Sequence, residues 1–207
     1  MLEKTTDNNK APTVTAGAFS LVNMEKVLKE IQKIILQKGR ITIAIDGPCA
    51  SGKTTLANTL SETIDAQVIH MDDFFLPFDM RTEERLSQPG GNTHYERFIS
   101  EAVTGIKNGK SFKYGVFDCH TGNISYSETI SPSKNIIIEG AYSLHPEIPD
   151  DIYDLKIFVE IDIQTRLERI LERNGAEALE IFKSKWIPFE NRYFEEHDIK
   201  SKCDVIL

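Results

Sequence analysis

The stretch Ile43–Ala57 reads IAIDGPCASGKTTLA. An apolar segment leads into Asp46 and Gly47, a loop of small residues follows, and Gly52-Lys53-Thr54-Thr55 opens a helical pattern. Residues 47–54 fit G-x-x-x-x-G-K-[ST], a spacing whose residue types answer to phosphate chemistry. Gly47 and Gly52 let the backbone curl so that its N–H groups, those of Ala50 and Ser51 among them, converge on an anion. The following helix N-terminus adds partial positive charge. The Lys53 ammonium reaches β- and γ-phosphates, the Thr54 hydroxyl suits Mg²⁺, and Thr55 lies in the same first helical turn. Nucleoside-triphosphate phosphates are the expected ligand. The motif alone separates no kinase from a GTPase or an ATP-driven machine.

Working outward, Arg40–Asp46 ("RITIAID") reads as a buried strand before the loop, and Lys53–Ile64 as the helix after it. Upstream, Leu21, Val22, Val27, Leu28, Ile31, Ile34 and Ile35 recur at helical spacing within Phe19–Leu36, and Gly39 stops that helix. Downstream, "AQVIHMDD" (Ala66–Asp73), "NIIIEG" (Asn135–Gly140), "LKIFVEI" (Leu155–Ile161) and the final "CDVIL" read as further strands. Helical patterns alternate with them: Tyr95–Lys107, a helix capped by Asp162 and closed by Gly175, and Ala176–His197 apart from Pro188. Continuous apolar strands alternating with helices predict an α/β, doubly wound parallel sheet. Lys113–Asp118 and Ile124–Ile130, around a "HTGN" turn, predict a small β excursion, and 77–93 reads as irregular. Trp186, Phe189, Tyr193 and Phe194 read as core anchors of the last helix. Residues 1–18 are expected as a flexible tail and 19–207 as one domain.

Composition narrows the partners. The 207-residue chain carries a net charge of -8, which argues against nucleic acid or an anionic membrane as the main partner. Any anion site is therefore local. Cys49, Cys119 and Cys203 are far apart with no C-x-x-C pair, the pattern of free thiols in a reducing compartment. With no signal-like start and no membrane-length apolar run, the expectation is a soluble cytoplasmic protein.

In doubly wound folds, ligands lie beyond the carboxyl ends of the strands. Asp46, Asp72, Asp73 and Glu139 all stand where expected strands exit. A small-molecule kinase needs one carboxylate to deprotonate the acceptor hydroxyl and others around Mg²⁺ and its waters. Asp72 is the candidate base, and Glu139 the candidate metal-side carboxylate with Thr54. Arg166, Arg169 and Arg173 are spaced i, i+3, i+7 and share one helical face, where cations would offset charge on a moving phosphoryl group. Tyr142 and His145 follow the Glu139 strand, where an acceptor pocket would open.

These pieces, "GPCASGKTTLA", "MDDFF", "YERF", "VFDCH", "IIIEGAYSLH" and "DIQTRLERILER", make the chain resemble the uridine kinase family within the P-loop kinases. The likeness runs from about Arg40 to the end. It is nearest to a bacterial uridine kinase-like branch, also marked by "WIPFENRYF". The resemblance implies a P-loop NTPase fold, a five-stranded parallel sheet, a lid helix, and an ATP- or GTP-dependent kinase. It gives Asp72 the role of catalytic base, with Asp73 and Phe75 beside it in the same motif. It matches Glu139 to the family's Glu-Gly motif and Arg166, Arg169 and Arg173 to the lid arginines. Tyr95-Glu96 fall near the family's ribose-gripping Phe-Asp, and Phe117-Asp118 on its Tyr-Asp. The family then has an aromatic residue, a histidine and an arginine that recognise the pyrimidine. Here Cys119-His120-Thr121-Gly122-Asn123 follows, so His120 comes two places early and no arginine matches. The expected acceptor is accordingly nucleoside-like, without uridine being carried over. A kinase for another alcohol, pantothenate-like or a sugar phosphate, is the rival, and a nucleotide-dependent switch a further one. No N-K-x-D guanine signature supports the switch. Self-association is left open.

Overall fold

Strand β1 (Thr42–Asp46) is buried at every residue and lies at the centre of a five-stranded sheet ordered β2-β5-β1-β6-β7. The computed structural model describes residues 21–207, so the tail expected over 1–18 lies outside the described residues, as do Phe19 and Ser20. β2 (Ala66–His70), β5 (Asn135–Glu139), β6 (Leu155–Phe158) and β7 (Val205–Ile206) all run parallel to their neighbours. The apolar runs make this possible, because both faces of the central strands are covered. Ile43, Ile45 and Ile137 pack with Leu56 and Leu60 of α2 (Lys53–Ile64) and with Val27 and Ile31 of α1 (Leu21–Lys38). Their strand neighbours Ile136 and Ile138 face the other way, onto Phe74, Phe98 and Ala102. This is the doubly wound α/β sheet expected from the sequence.

The differences lie in how elements end. The strand expected to reach Asp73 stops at His70, and Met71–Phe74 form a single 3-10 turn. Asp72 and Asp73 therefore follow the turn and not the strict two-sided alternation that a continued strand would impose. Within 77–93, a 3-10 turn (Phe78–Met80) and a short α3 (Glu83–Ser87) appear, the latter capped by the Thr82 side chain accepting from Arg85 N–H. The helix expected over Tyr95–Lys107 is α4 (Tyr95–Phe98), a π turn (Ile99–Val103) and α5 (Thr104–Asn108). The β excursion is real but short: β3 (Gly115–Phe117) pairs antiparallel with β4 (Ile124–Tyr126).

Asp162 caps α6 (Ile163–Ile181), its side chain accepting from Thr165 N–H. Gly175 (φ 83°, ψ 172°) breaks the helical path where closure was expected, yet helical hydrogen bonding resumes beyond it. A π turn (Phe182–Trp186) then leads into α7 (Ile187–Glu196), with Pro188 in the first turn, where a missing N–H is tolerated.

Candidate active site

The phosphate loop joins β1 to α2, and its shape follows from a few residues. A Cβ at Gly47 (φ 140°) would lie 2.3 Å from the Val159 carbonyl oxygen, so only glycine fits beside β6. Ala50 (φ 62°) and Gly52 (φ 101°) take left-handed conformations that close the curl. Lys53 is buried, and its Nζ donates to Pro48 O at 2.7 Å. Thr54 Oγ1 donates to Glu139 at 3.3 Å from each carboxylate oxygen.

Parallel pairing of β2 with β5 sets His70 beside Glu139. His70 Nδ1 lies 2.6 Å from Glu139 Oε1, and this bond holds the imidazole pKa above its ordinary value. Asp72 is reachable by solvent across the cavity yet crowded by protein. That crowding raises its pKa, while the nearby Lys53 charge opposes the rise and Glu139 adds to it. Asp73 points elsewhere: Tyr114 Oη donates to it at 3.0 Å, and Arg97 grips its carbonyl. Asp46 is wholly buried beneath the loop and accepts from Gly47 N–H (2.7 Å), Leu144 N–H (3.0 Å) and Tyr193 Oη (2.8 Å). Burial outweighs those bonds and raises its pKa to about 6.

The three arginines of α6 all meet the loop or its cavity, in different ways. Arg169 Nη1 donates to Ala50 O (3.1 Å) and Ser51 O (3.4 Å). Arg173 reaches the cavity wall, its Nε donating to Asn174 Oδ1 at 2.8 Å. Arg166 is buried behind the loop, where it pairs with Glu190 and touches Cys49 Sγ at 3.4 Å.

A cavity of about 490 Å³ opens over the carboxyl ends of the strands. It brings together Ala50, Lys53, Thr54, Asp72, Glu139 and Arg173 with Phe75, His120 and Tyr142 from the acceptor set. Gly47, Ser51, Gly52 and Thr55 shape the loop and its helix without lining that cavity. Tyr95, Glu96, Phe117, Asp118 and Asp73 do not line it either. Arg85 accounts for two of these. It donates to both Glu96 carboxylate oxygens (2.7 and 2.9 Å) and to Tyr95 Oη (2.8 Å), and its guanidinium stacks 4.2 Å from the Tyr95 ring centroid. Tyr95 also stacks on His145, at 4.4 Å between centroids. Asp118 caps its own turn, accepting from His120 N–H at 2.7 Å and Thr121 Oγ1 at 2.9 Å. Phe117 packs edge-on against Phe78, at 5.6 Å between centroids.

Residues the sequence did not single out for the site complete the wall: Arg81, Asn92, Cys119, Phe182 and Glu190. Arg81 is braced by its Nε on Leu76 O (2.7 Å) and by the Phe78 ring (4.6 Å). Asn92 is buried and hydrogen-bonds Tyr142. Trp186, expected in the core, stands on the cavity wall, whereas Tyr193 is fully buried as expected. From the sequence Arg81 reads as a solvated loop cation sooner than a phosphate contact, and Asn92 sits in a segment without periodicity, so no pattern pointed to it. Glu190 had a signal, an acid in the otherwise aromatic "WIPFENRYF".

Comparison with known proteins agrees with this arrangement. Residues 42–178 match the model of the Phosphoribulokinase / Uridine kinase family. A uridine kinase of Staphylococcus aureus (strain Newman) is 28% identical over 150 residues, covering 68% of this chain and 71% of that protein. The solved structure of a possible uridine kinase from Bacillus stearothermophilus superposes with a TM-score of 0.61 at 22% identity, covering 88% of this chain and 99% of the other. A deoxyadenosine kinase from M. mycoides with bound dATP gives a TM-score of 0.45 at 14% identity, over 81% and 90%. The strand order, the phosphate loop, the facing carboxylates and the family match over most of the chain agree: this protein belongs to the phosphoribulokinase/uridine kinase family.

Proposed function

We propose that residues 19–207 act as one kinase domain that moves the γ-phosphoryl group of ATP or GTP to a hydroxyl of a small, nucleoside-like acceptor. The observation carrying this reading is Asp72 on the wall of the cavity that also holds Lys53, Thr54 and Glu139. A carboxylate at that place faces both the donor loop and the acceptor space. Lys53, the loop amides from Ala50 to Thr55, and Arg169 and Arg173 hold and neutralise the phosphates. Asp72 accepts the hydroxyl proton as the new O–P bond forms and the β–γ bridging bond breaks. Burial raises the pKa of Asp72, which makes it a stronger base than a free carboxylate, and the Lys53 charge opposes that rise. Thr54, Glu139 and Asp72 are hard oxygen donors that fit Mg²⁺, whose chemistry there is to offset phosphate charge. Phe75, His120 and Tyr142 face the acceptor.

A second reading has its own observation. Arg85 ties Tyr95 and Glu96 outside the cavity while Arg81 lines it. That exchanges a sugar-gripping carboxylate for a cation and suits an anionic alcohol, pantothenate-like or a sugar phosphate. An acceptor panel decides between the two. Purified protein is given ATP or GTP with nucleosides, hydroxy acids and sugar phosphates, and phosphorylated product is counted. Turnover of nucleosides supports the first reading and turnover of anionic alcohols the second. Slow hydrolysis alone with every acceptor contradicts both.

A further inference from the structure

Glu190 projects from α7 into the back of the phosphate loop. Its Oε2 accepts the Cys49 backbone N–H at 2.8 Å and the Arg166 guanidinium at 2.5 Å. Both side chains are buried, at 3% exposure for Arg166 and 7% for Glu190. Arg166 adds contacts to Cys49 Sγ and to Asn191 Oδ1, each 3.4 Å. The same α7 carries Tyr193, which bonds Asp46 under the loop, and Arg192, which donates to Leu86 O (2.8 Å) and Gln88 O (3.0 Å). Glu190 lies beyond the residues matched by the family model, which end at 178.

We propose that Glu190 is a positioning residue for the donor triphosphate, acting through Cys49 N–H and Arg166 to hold the outer limb of the phosphate loop in register. The inference rests on the reading of that loop as the donor site. Two grips of opposite sense fix the limb. Glu190 draws the Cys49 N–H toward α7, and Arg169 draws the Ala50 and Ser51 carbonyls toward α6. Across a planar trans peptide the carbonyl and the next N–H point in opposite directions. Holding Ser51 O on Arg169 therefore turns Gly52 N–H away from α6. Arg166 serves as counter-ion to Glu190, so a buried carboxylate is tolerated beside an anion site. What the loop needs from position 190 is an acceptor atom at the right reach. One methylene less pulls that atom out of bonding distance of the Cys49 N–H, for which Glu190 is the acceptor found among the described residues.

The test uses two variants that separate reach from charge. E190D keeps the charge and loses the reach; E190Q loses the charge and keeps an acceptor oxygen in place. Binding of ATP with Mg²⁺, without acceptor, is measured by calorimetry on the full chain, alongside the thermal midpoint of each variant. The expected result is a Kd raised about tenfold or more in E190D and within about threefold of wild type in E190Q. A purely structural role would lower the midpoint of E190D with its Kd unchanged, and that outcome overturns the inference. So does an E190Q loss as large as that of E190D, because charge rather than reach would then be the operative property. Failure of the wild-type protein to bind ATP or GTP removes the donor-site reading itself, and this inference with it.

Discussion

At the scale of single residues, the buried acids make the sharpest predictions. Asp46 has a folded-state pKa of about 6 against an ordinary value of 3.8. The folded protein therefore holds its proton more tightly than the unfolded chain. The stability from this group is fully present below the unfolded pKa of 3.8 and is lost as pH rises through about 6. A shift of this size corresponds to about 3 kcal/mol. Asp46→Asn should flatten that part of the stability–pH curve, as read by denaturant unfolding across the interval; an unchanged slope would contradict the assignment. This residue was legible in the sequence only as one strand-end carboxylate among several. Its distinction from Asp72 depends on Tyr193 and Leu144, which the fold brings from far along the chain. The same holds for Glu96. The family resemblance set it near a ribose-gripping acid, and only the approach of Arg85 across the irregular 77–93 segment shows it engaged elsewhere.

At the scale of elements, the strands and α2 were readable because apolar runs and a motif with fixed stereochemistry leave few alternatives. The 3-10 and π turns were not, since one residue gained or lost per turn scarcely changes a hydrophobic period. Gly175 was legible as a break, though not as a kink within longer helical bonding. Its φ of 83° with ψ of 172° belongs to a region almost confined to glycine, and a Cβ there would touch nothing within 4 Å. Gly175→Ala is thus a purely backbone test. It should cost about 1–3 kcal/mol, measured as a fall in chemical or thermal stability. No loss would mean that the kink relaxes freely. The Asp162 cap makes a smaller claim: Asp162→Ala should cost about 1 kcal/mol in the same assay.

At the scale of the whole molecule, α7 links parts of the site that are distant in sequence. Glu190 holds the phosphate loop, and Arg192 holds the Leu86 and Gln88 carbonyls in the segment between Arg81 and Asn92, both of which line the cavity. Arg192→Ala should raise the acceptor KM several-fold with donor affinity unchanged, once the acceptor panel supplies a substrate. Equal losses for donor and acceptor would point to general destabilisation instead. The central claim is that Asp72 performs the proton transfer beside a donor loop that binds nucleotide without it. The direct measurement compares wild type with Asp72→Asn for affinity to ATP in the absence of Mg²⁺ and for single-turnover phosphoryl transfer, with Mg²⁺, to the best acceptor. The account predicts an affinity within about threefold and a transfer rate lower by about 10²–10⁴. Transfer at the wild-type rate in a variant that binds ATP normally would contradict it.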